Sequence, residues 1–279
     1  MSAPPPLGVL NPSYRATVHI VWRRELLRLQ RSRGRVLINL LSPVLFLFVL
    51  GAGLGTIIEP VGGIDFRQFV LPGAVAISVA TSALAGASSI VWDREFGFLR
   101  EMLVAPVRRD ALVLGKAAGV ATVAVGQGLV MLLLSPAVGL GLTPRVFVQV
   151  LLIAVVMAFA LTAFGMVLAN LVERIETFHI ILQFVMTPML FLSGALFPLD
   201  ELPGWLTVLT RLNPLTYAVD AMRQVILGNQ QAGAAATERF AGGLDLFGHR
   251  LSVVEEVGML ALMTAGFLIL TLRRFGRPE

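Results

Sequence analysis

Apolar positions along the chain gather into six long runs, about 36–58, 68–91, 112–134, 146–171, 178–197 and 253–272, with short polar segments between them. Each approaches the roughly 20 apolar residues that cross a hydrocarbon layer as a helix. The pattern predicts an all-α polytopic membrane protein, with an N-terminal cytoplasmic segment over 1–35 and a six-span transmembrane domain over 36–279. Lys116, Glu255 and Glu256 fall inside the third and sixth windows. Near a helix end such side chains snorkel to the interface. The first run starts too late and runs too long for a secretory leader, so it is expected to be a retained span.

Composition strengthens this picture. Of 279 residues, 56% are hydrophobic and 14% charged, against about 45–50% and 25% in soluble domains. Disordered chains are polar and highly charged, so that class is excluded. The absence of cysteine excludes a disulfide scaffold and thiol chemistry. A net charge of +5 could suggest nucleic acid, but the distribution of the basic residues explains it better. Segments 1–35, 92–116, 172–177 and 273–279 hold 16 Lys and Arg, and segments 59–67, 135–145 and 199–252 hold 6. The two sets have nearly equal length. Basic loops stay inside, so both termini are expected in the cytoplasm, with no nucleic-acid partner.

Three connecting segments carry signals. Residues 14–33 place Val18, Trp22, Leu26 and Leu29 on one helical stripe, with Arg15, Arg23, Arg24, Arg28 and Arg31 over much of the remaining surface. A basic amphipathic helix with a Trp suits the inner membrane interface. It serves either as an orientation anchor or also as a contact for a cytoplasmic partner. After the second run, Phe96, Leu99 and Leu103 recur at helical spacing among Glu95, Arg100 and Glu101, until Pro106 stops the helix. Such a helix is either a plug for a groove on a soluble partner or a solvated loop helix. In the long outer segment 199–252, two short helices are expected at or slightly inside the outer surface. The second holds Tyr217, Asp220 and Arg223, just after Asn213 and Pro214, and residues 228–250 read as a mobile loop.

Several chemistries are missing from the sequence. A phosphate-binding loop needs Gly five residues before a Gly-Lys-Ser/Thr sequence. Here Asp110 occupies the first position and Ala117 follows Lys116, the only lysine. Gly51, Gly53 and Gly55 lie inside the first run, where close helix packing is the natural use. His19, His179 and His249 are isolated, so no metal site is expected. The run interiors offer Asn39, Gln127, Gln149, Asn170 and Gln183 but almost no ionisable group. Gradient-driven carriers place such groups at mid-membrane. A transporter built this way would draw its energy from a partner.

The run Thr187-Pro188-Met189-Leu190-Phe191-Leu192-Ser193-Gly194-Ala195-Leu196-Phe197-Pro198-Leu199-Asp200-Glu201-Leu202-Pro203, followed by Leu212-Asn213-Pro214-Leu215-Thr216-Tyr217, Asp220 and Arg223, resembles the membrane subunits of type-2 ATP-binding-cassette exporters. The resemblance covers nearly the whole chain. Among those subunits it is most similar to the nodulation-factor and daunorubicin-resistance exporter permeases. Glu95, Gly97, Leu99, Leu103, Val104 and Pro106 fit the family's coupling helix, while Phe98, Ala105 and Arg100 depart from it.

The resemblance implies an export permease with no cofactor of its own. It implies two separate ATPase subunits carrying ATP and Mg, a second permease subunit (identical or paralogous), and the inner membrane of a prokaryote. It also implies an amphiphilic substrate: a drug, lipid, glycolipid or polysaccharide. Pro43, Gly51, Gly55, Pro188, Phe191, Ser193 and Gly194 would line the dimer's central path. The competing classes are a gradient-driven carrier and a membrane-embedded enzyme or scaffold.

Overall fold

The computed structural model describes residues 13–31, 33–55, 66–97, 108–196, 203–228, 244–246 and 249–275. Its elements are α1 (Tyr14–Arg31), α2 (Arg33–Leu54), α3 (Phe66–Gly86), α4 (Ser88–Glu95), α5 (Arg109–Leu133), a 3-10 turn (Ser135–Val138), α6 (Pro144–Ala169), α7 (Ile175–Phe191), α8 (Gly204–Leu212), α9 (Pro214–Gly228), β1 (Asp245–Leu246), β2 (His249–Arg250) and α10 (Val253–Phe275). Among the described residues, Gln68–Glu95, Arg109–Leu133, Pro144–Ala169 and Val253–Arg274 are long and apolar enough to cross a membrane. Val36–Gly51 and Ile175–Phe191 are shorter apolar helices.

The bundle is organised around α3. Its residues 69–80 are all buried, because α2, α5, α6 and α9 all pack against it. A helix that is apolar all round belongs at such a centre. Small residues let neighbours approach: a Cβ on Gly86 would clash with Val120 Cγ1, and one on Gly128 would meet Val79 Cγ2 at 2.5 Å. α6 opens with Thr143 accepting from Val146 N at 3.4 Å and Pro144 in the first turn, a favourable helix start. By contrast α10 is an outer helix. Its buried residues, Glu256, Leu260 and Thr271, form one narrow stripe, extended by Phe267 against Phe164 with centroids 5.2 Å apart.

Two helices end earlier than the expected spans. The first helix stops at Leu54 rather than Ile58, and residues 56–65 lie outside the described set. The fifth stops at Phe191 rather than Phe197. The second change follows from the turn at Gly194, whose φ is +73°. A β-carbon is disfavoured at such a φ.

α1 also differs from the expected face. The side chains it buries are Thr17, Val21 and Glu25, one position short of the predicted Val18, Trp22 and Leu26, which are half-buried. The side chain of Leu29 is outside the described set. The reason lies on α5: Gly115 and Gly119 form a groove four residues apart. A Cβ on Gly115 would meet Val21 Cβ at 2.8 Å, and one on Gly119 would meet Glu25 Cβ at 2.6 Å. α1 therefore seats on protein through this stripe, while Trp22 Nε1 donates to Thr122 Oγ1 at 3.1 Å.

Candidate functional site

One end of the bundle gathers α1, the end of α4, the start of α5, the end of α6 and the start of α7. Lys116 lies there, and it does not snorkel as expected. It is 2% exposed and pairs with Asp93, also 2% exposed. Glu25 Oε1 stands 4.0 Å from the same ammonium, and Arg24 Nη2 reaches Asp93 Oδ1 at 3.0 Å. Two buried carboxylates thus face the buried Lys116 and the partly exposed Arg24. Packing α1 over α5 buries Lys116, Glu25 and Asp93 together, where an apolar core would leave them unpaired.

The two residues after Asp93 also reach across the bundle. Arg94 donates to Val172 O at 3.2 Å and to Asn170 Oδ1 at 3.3 Å. Glu95 Oε2 accepts from Ile175 N at 2.9 Å. A carboxylate at that position satisfies a free N–H of α7 and complements its dipole. Phe96 is exposed and its ring lies tilted against Trp92, with centroids 4.1 Å apart. Gly97 then turns left-handed at φ +79°, with its N–H on Arg94 O at 3.2 Å, a common helix stop. Of the helix expected around Glu95–Leu103, Glu95, Phe96 and Gly97 instead close α4. Leu99, Arg100, Glu101, Leu103 and Pro106 lie outside the described residues.

At the opposite end, the chain turns back into the bundle after α7. The last carbonyls of that helix need partners, and polar side chains from beyond Pro203 supply them. Asn213 Nδ2 donates to Met189 O at 2.8 Å, Thr216 Oγ1 to Leu192 O at 2.9 Å, and Arg223 Nη2 to Gly194 O at 2.6 Å. Ser193 Oγ donates to Leu190 O at 2.6 Å. Gly73 of α3 lets the turn approach, since a Cβ there would stand 2.6 Å from Ala195 O. Non-helical backbone is tolerated within a membrane protein where protein satisfies it.

This arrangement moves α9 deeper than the expected outer-surface helix. Pro214, Leu215, Tyr217, Ala218 and Met222 are buried, and α9 packs against α3, α6 and α10. Tyr217 donates its hydroxyl to Arg211 O at 2.7 Å. Asp220 Oδ2 accepts from Leu244 N at 2.7 Å and from Gln224 Nε2 at 3.3 Å. Gln224 also donates to Glu256 Oε1 at 3.2 Å. Glu256 is fully buried, which corrects the expectation that it snorkels. The outer helix proper is α8, with Trp205, Val208, Leu209 and Leu212 exposed. Of the expected loop 228–250, residues 229–243 lie outside the described set, and Asp245–Leu246 pairs antiparallel with His249–Arg250.

Arg223 is the central tie of this turn, because its guanidinium also lies 4.1 Å from the Phe69 ring centroid. Replacing it with Leu removes a charge-assisted hydrogen bond worth about 1.5–3 kcal/mol and a cation–π contact worth roughly 0.5–2 kcal/mol. The expected result is a clear fall in the unfolding midpoint of the detergent-purified subunit. Arg223→Lys should recover only part of it, since an ammonium lacks the planar fork. An unchanged midpoint in Arg223→Leu would refute the assignment.

The residues expected along a dimer path separate into two groups. Pro43, Gly51, Ser193 and Gly194 are buried within the subunit and Gly55 is half-buried. Ser193 and Gly194 are engaged in the turn after α7. Pro188 and Phe191 are exposed on α7 beside Ile180 and Phe184, and α2 exposes Leu37, Ile38, Leu41, Leu45 and Phe48.

With this geometry in place, the comparisons with known proteins can be stated. Residues 17–227, from α1 to the end of α9, match the ABC-2 type transporter family. The chain belongs to that family. The ABC-2 match thus includes the charge cluster, the α7 turn and α9. Nodulation protein J of Rhizobium leguminosarum bv. trifolii is 32% identical over 212 residues, 75% of this chain and 80% of the relative. Nodulation protein J of Rhizobium meliloti (strain 1021) is 33% identical over 219 residues, 75% and 80%. The inner membrane transport permease YadH of Escherichia coli (strain K12) is 28% identical over 222 residues, 77% and 84%. The protein is an ABC-2 permease with membrane-spanning helices.

Sequence reasoning missed Glu25, Asp93 and Lys116 as a unit. One signal was available: the single lysine of the chain sits in an apolar window between Gly115 and Gly119. That spacing marks close helix approach. Which carboxylates would meet the lysine was not readable, since Glu25 and Asp93 are 91 and 23 residues away from it in the chain.

Proposed function

We propose that this ABC-2 permease is the membrane subunit of an exporter that moves an amphiphilic substrate outward, driven by ATP hydrolysed on a separate subunit. The observation that carries the reading is a family-matched membrane domain in a sequence without a phosphate-binding loop. ATP and Mg then belong to two partner ATPases, and this chain contributes no catalytic residue. The basic end faces the cytoplasm of a prokaryotic cell, across its inner membrane, in keeping with the arginine bias. There the segment 98–107 docks the ATPase. A second permease subunit packs against the exposed apolar faces of α2 and α7, with Pro188 and Phe191 toward the shared path. A drug, lipid, glycolipid or polysaccharide fits an apolar wall of this kind.

The cluster around Lys116 and the buried Glu256 supply the ionisable groups that a gradient-driven carrier would need. They do not favour that reading. Lys116 and Asp93 lie at one end of the bundle and Glu256 lies in the first turn of α10, whereas carriers bind near the midplane. The test is purification. The chain alone should show no ATP turnover, and a separate ATPase should co-purify and supply it. Robust turnover by the isolated chain would sink the proposal.

A further inference from the structure

A cavity of about 390 Å³ opens at the charged end of the bundle, between α1, α2, α5 and the corner of α3 and α4. Small-ligand sites occupy roughly 300–1,000 Å³. α2 packs mainly on α3, which leaves the space between α2 and α5 to the cavity. Its wall combines apolar Val36, Ala85 and Val123 with the charged Arg24, Arg28, Glu25 and Asp93. Two arginines and two carboxylates face one space. A purely anionic or purely cationic ligand would meet its own sign there, whereas a zwitterion can match both.

The polar atoms of the wall say which zwitterion. Glu25, Ser89 and Gln127 are buried, and Glu25 Oε1, Ser89 Oγ and Gln127 Oε1 have no hydrogen-bond partner among the described residues. The Lys116 ammonium, 4.0 Å from Glu25 Oε1, stands beyond hydrogen-bond reach. Buried oxygens of this kind call for N–H or O–H donors. For the opposite charge, the Arg28 guanidinium lies over Trp92, 5.5 Å from the ring centroid, and Arg24 reaches Asp93. A guanidinium has five N–H donors, so each arginine can hold a phosphate oxygen beside its present partners. Arg and Trp together are also the residues that suit the level of lipid headgroups.

We propose that this cavity binds the headgroup of a zwitterionic aminophospholipid from the leaflet at this end of the bundle. The phosphate sits on Arg24 and Arg28. The primary ammonium turns toward Glu25 and Gln127, and the first part of the acyl chains lies against Val36 and Val123. The recognised chemistry is that of phosphoethanolamine. The apolar part of the wall assigns it to a membrane lipid rather than to a soluble phosphate ester. A choline headgroup has no N–H for the buried oxygens, and a glycerol headgroup has no cation for Glu25. The site requires neither the ATPase nor the exported substrate.

The experiment takes the full chain, stripped of lipid in detergent, and titrates it with phosphatidylethanolamine, phosphatidylcholine and phosphatidylglycerol of matched acyl chains. Native mass spectrometry counts the lipid retained. Phosphatidylethanolamine should bind about tenfold more tightly than the other two, the effect of one charge-assisted hydrogen bond. Arg28→Gln should weaken all three lipids alike, since all carry the phosphate. Glu25→Gln should erase the preference and leave the residual binding of all three. Arg28 is half-buried and outside the Lys116 pair, so Arg28→Gln keeps the fold and decides the matter should Glu25→Gln unfold. Soluble phosphoethanolamine should compete only at far higher concentration. Competition as tight as the lipid's would give the site to a soluble ligand and overturn the proposal. Equal retention of the three lipids, a preference unchanged in Glu25→Gln, or full retention in Arg28→Gln would overturn it as well.

Discussion

Lys116→Met should be the most destabilising single change in the subunit. It strands Asp93 and Glu25, both buried, beside an apolar side chain. Breaking a buried ion pair by removing one partner costs about 3–5 kcal/mol. Arg24 remains on Asp93, but from a partly exposed position where solvent screens it. The measurement is thermal unfolding of the detergent-purified subunit. The double variant Lys116→Met with Asp93→Leu should recover much of the loss, since one stranded carboxylate is gone and the two sites are in contact. A single variant as stable as the parent would show that the cluster contributes little.

Leu99→Asp should abolish export by releasing the ATPase. In the proposed docking mode Leu99 and Leu103 enter a groove of the partner, with Arg100 and Glu101 at its rim. A buried leucine or aromatic anchor carries about 2 kcal/mol or more, roughly thirtyfold in affinity. An unpaired charge placed in the groove costs further. Glu101→Ala, at the rim, should change little. The check is co-purification of the ATPase, together with membrane insertion, which should be unchanged because the site lies outside every predicted span. Normal assembly of Leu99→Asp would mean that the segment is a solvated loop. Glu95 adds an internal control: its carboxylate caps α7, so Glu95→Gln should act mainly on stability.

The helical class and the approximate positions of the long apolar helices were legible in the sequence by themselves. Burial in lipid or protein demands long uninterrupted apolar runs, and that demand is local. The basic bias between loops and the missing phosphate loop were legible for the same reason, since each depends on which residues occur in one short segment. So was the family, through the run from Thr187 to Tyr217.

Tertiary structure alone decided which neighbours the polar residues meet. Periodicity put the stripe of α1 on Val18, Trp22 and Leu26, yet the helix seats through Thr17, Val21 and Glu25, because the groove that receives it is made by Gly115 and Gly119 of another helix. Asn213 and Arg223 read as residues of an outer helix. They instead bind Met189 O and Gly194 O inside the bundle, because α7 ends early and its carbonyls need donors. Lys116 looked like an interfacial side chain until α1 and α4 brought Glu25 and Asp93 to it. The apolar character of a run is fixed by the identity of nearby residues along the chain. The pairing of a buried charge depends on groups that only folding brings within reach, and the chain order holds no record of that distance.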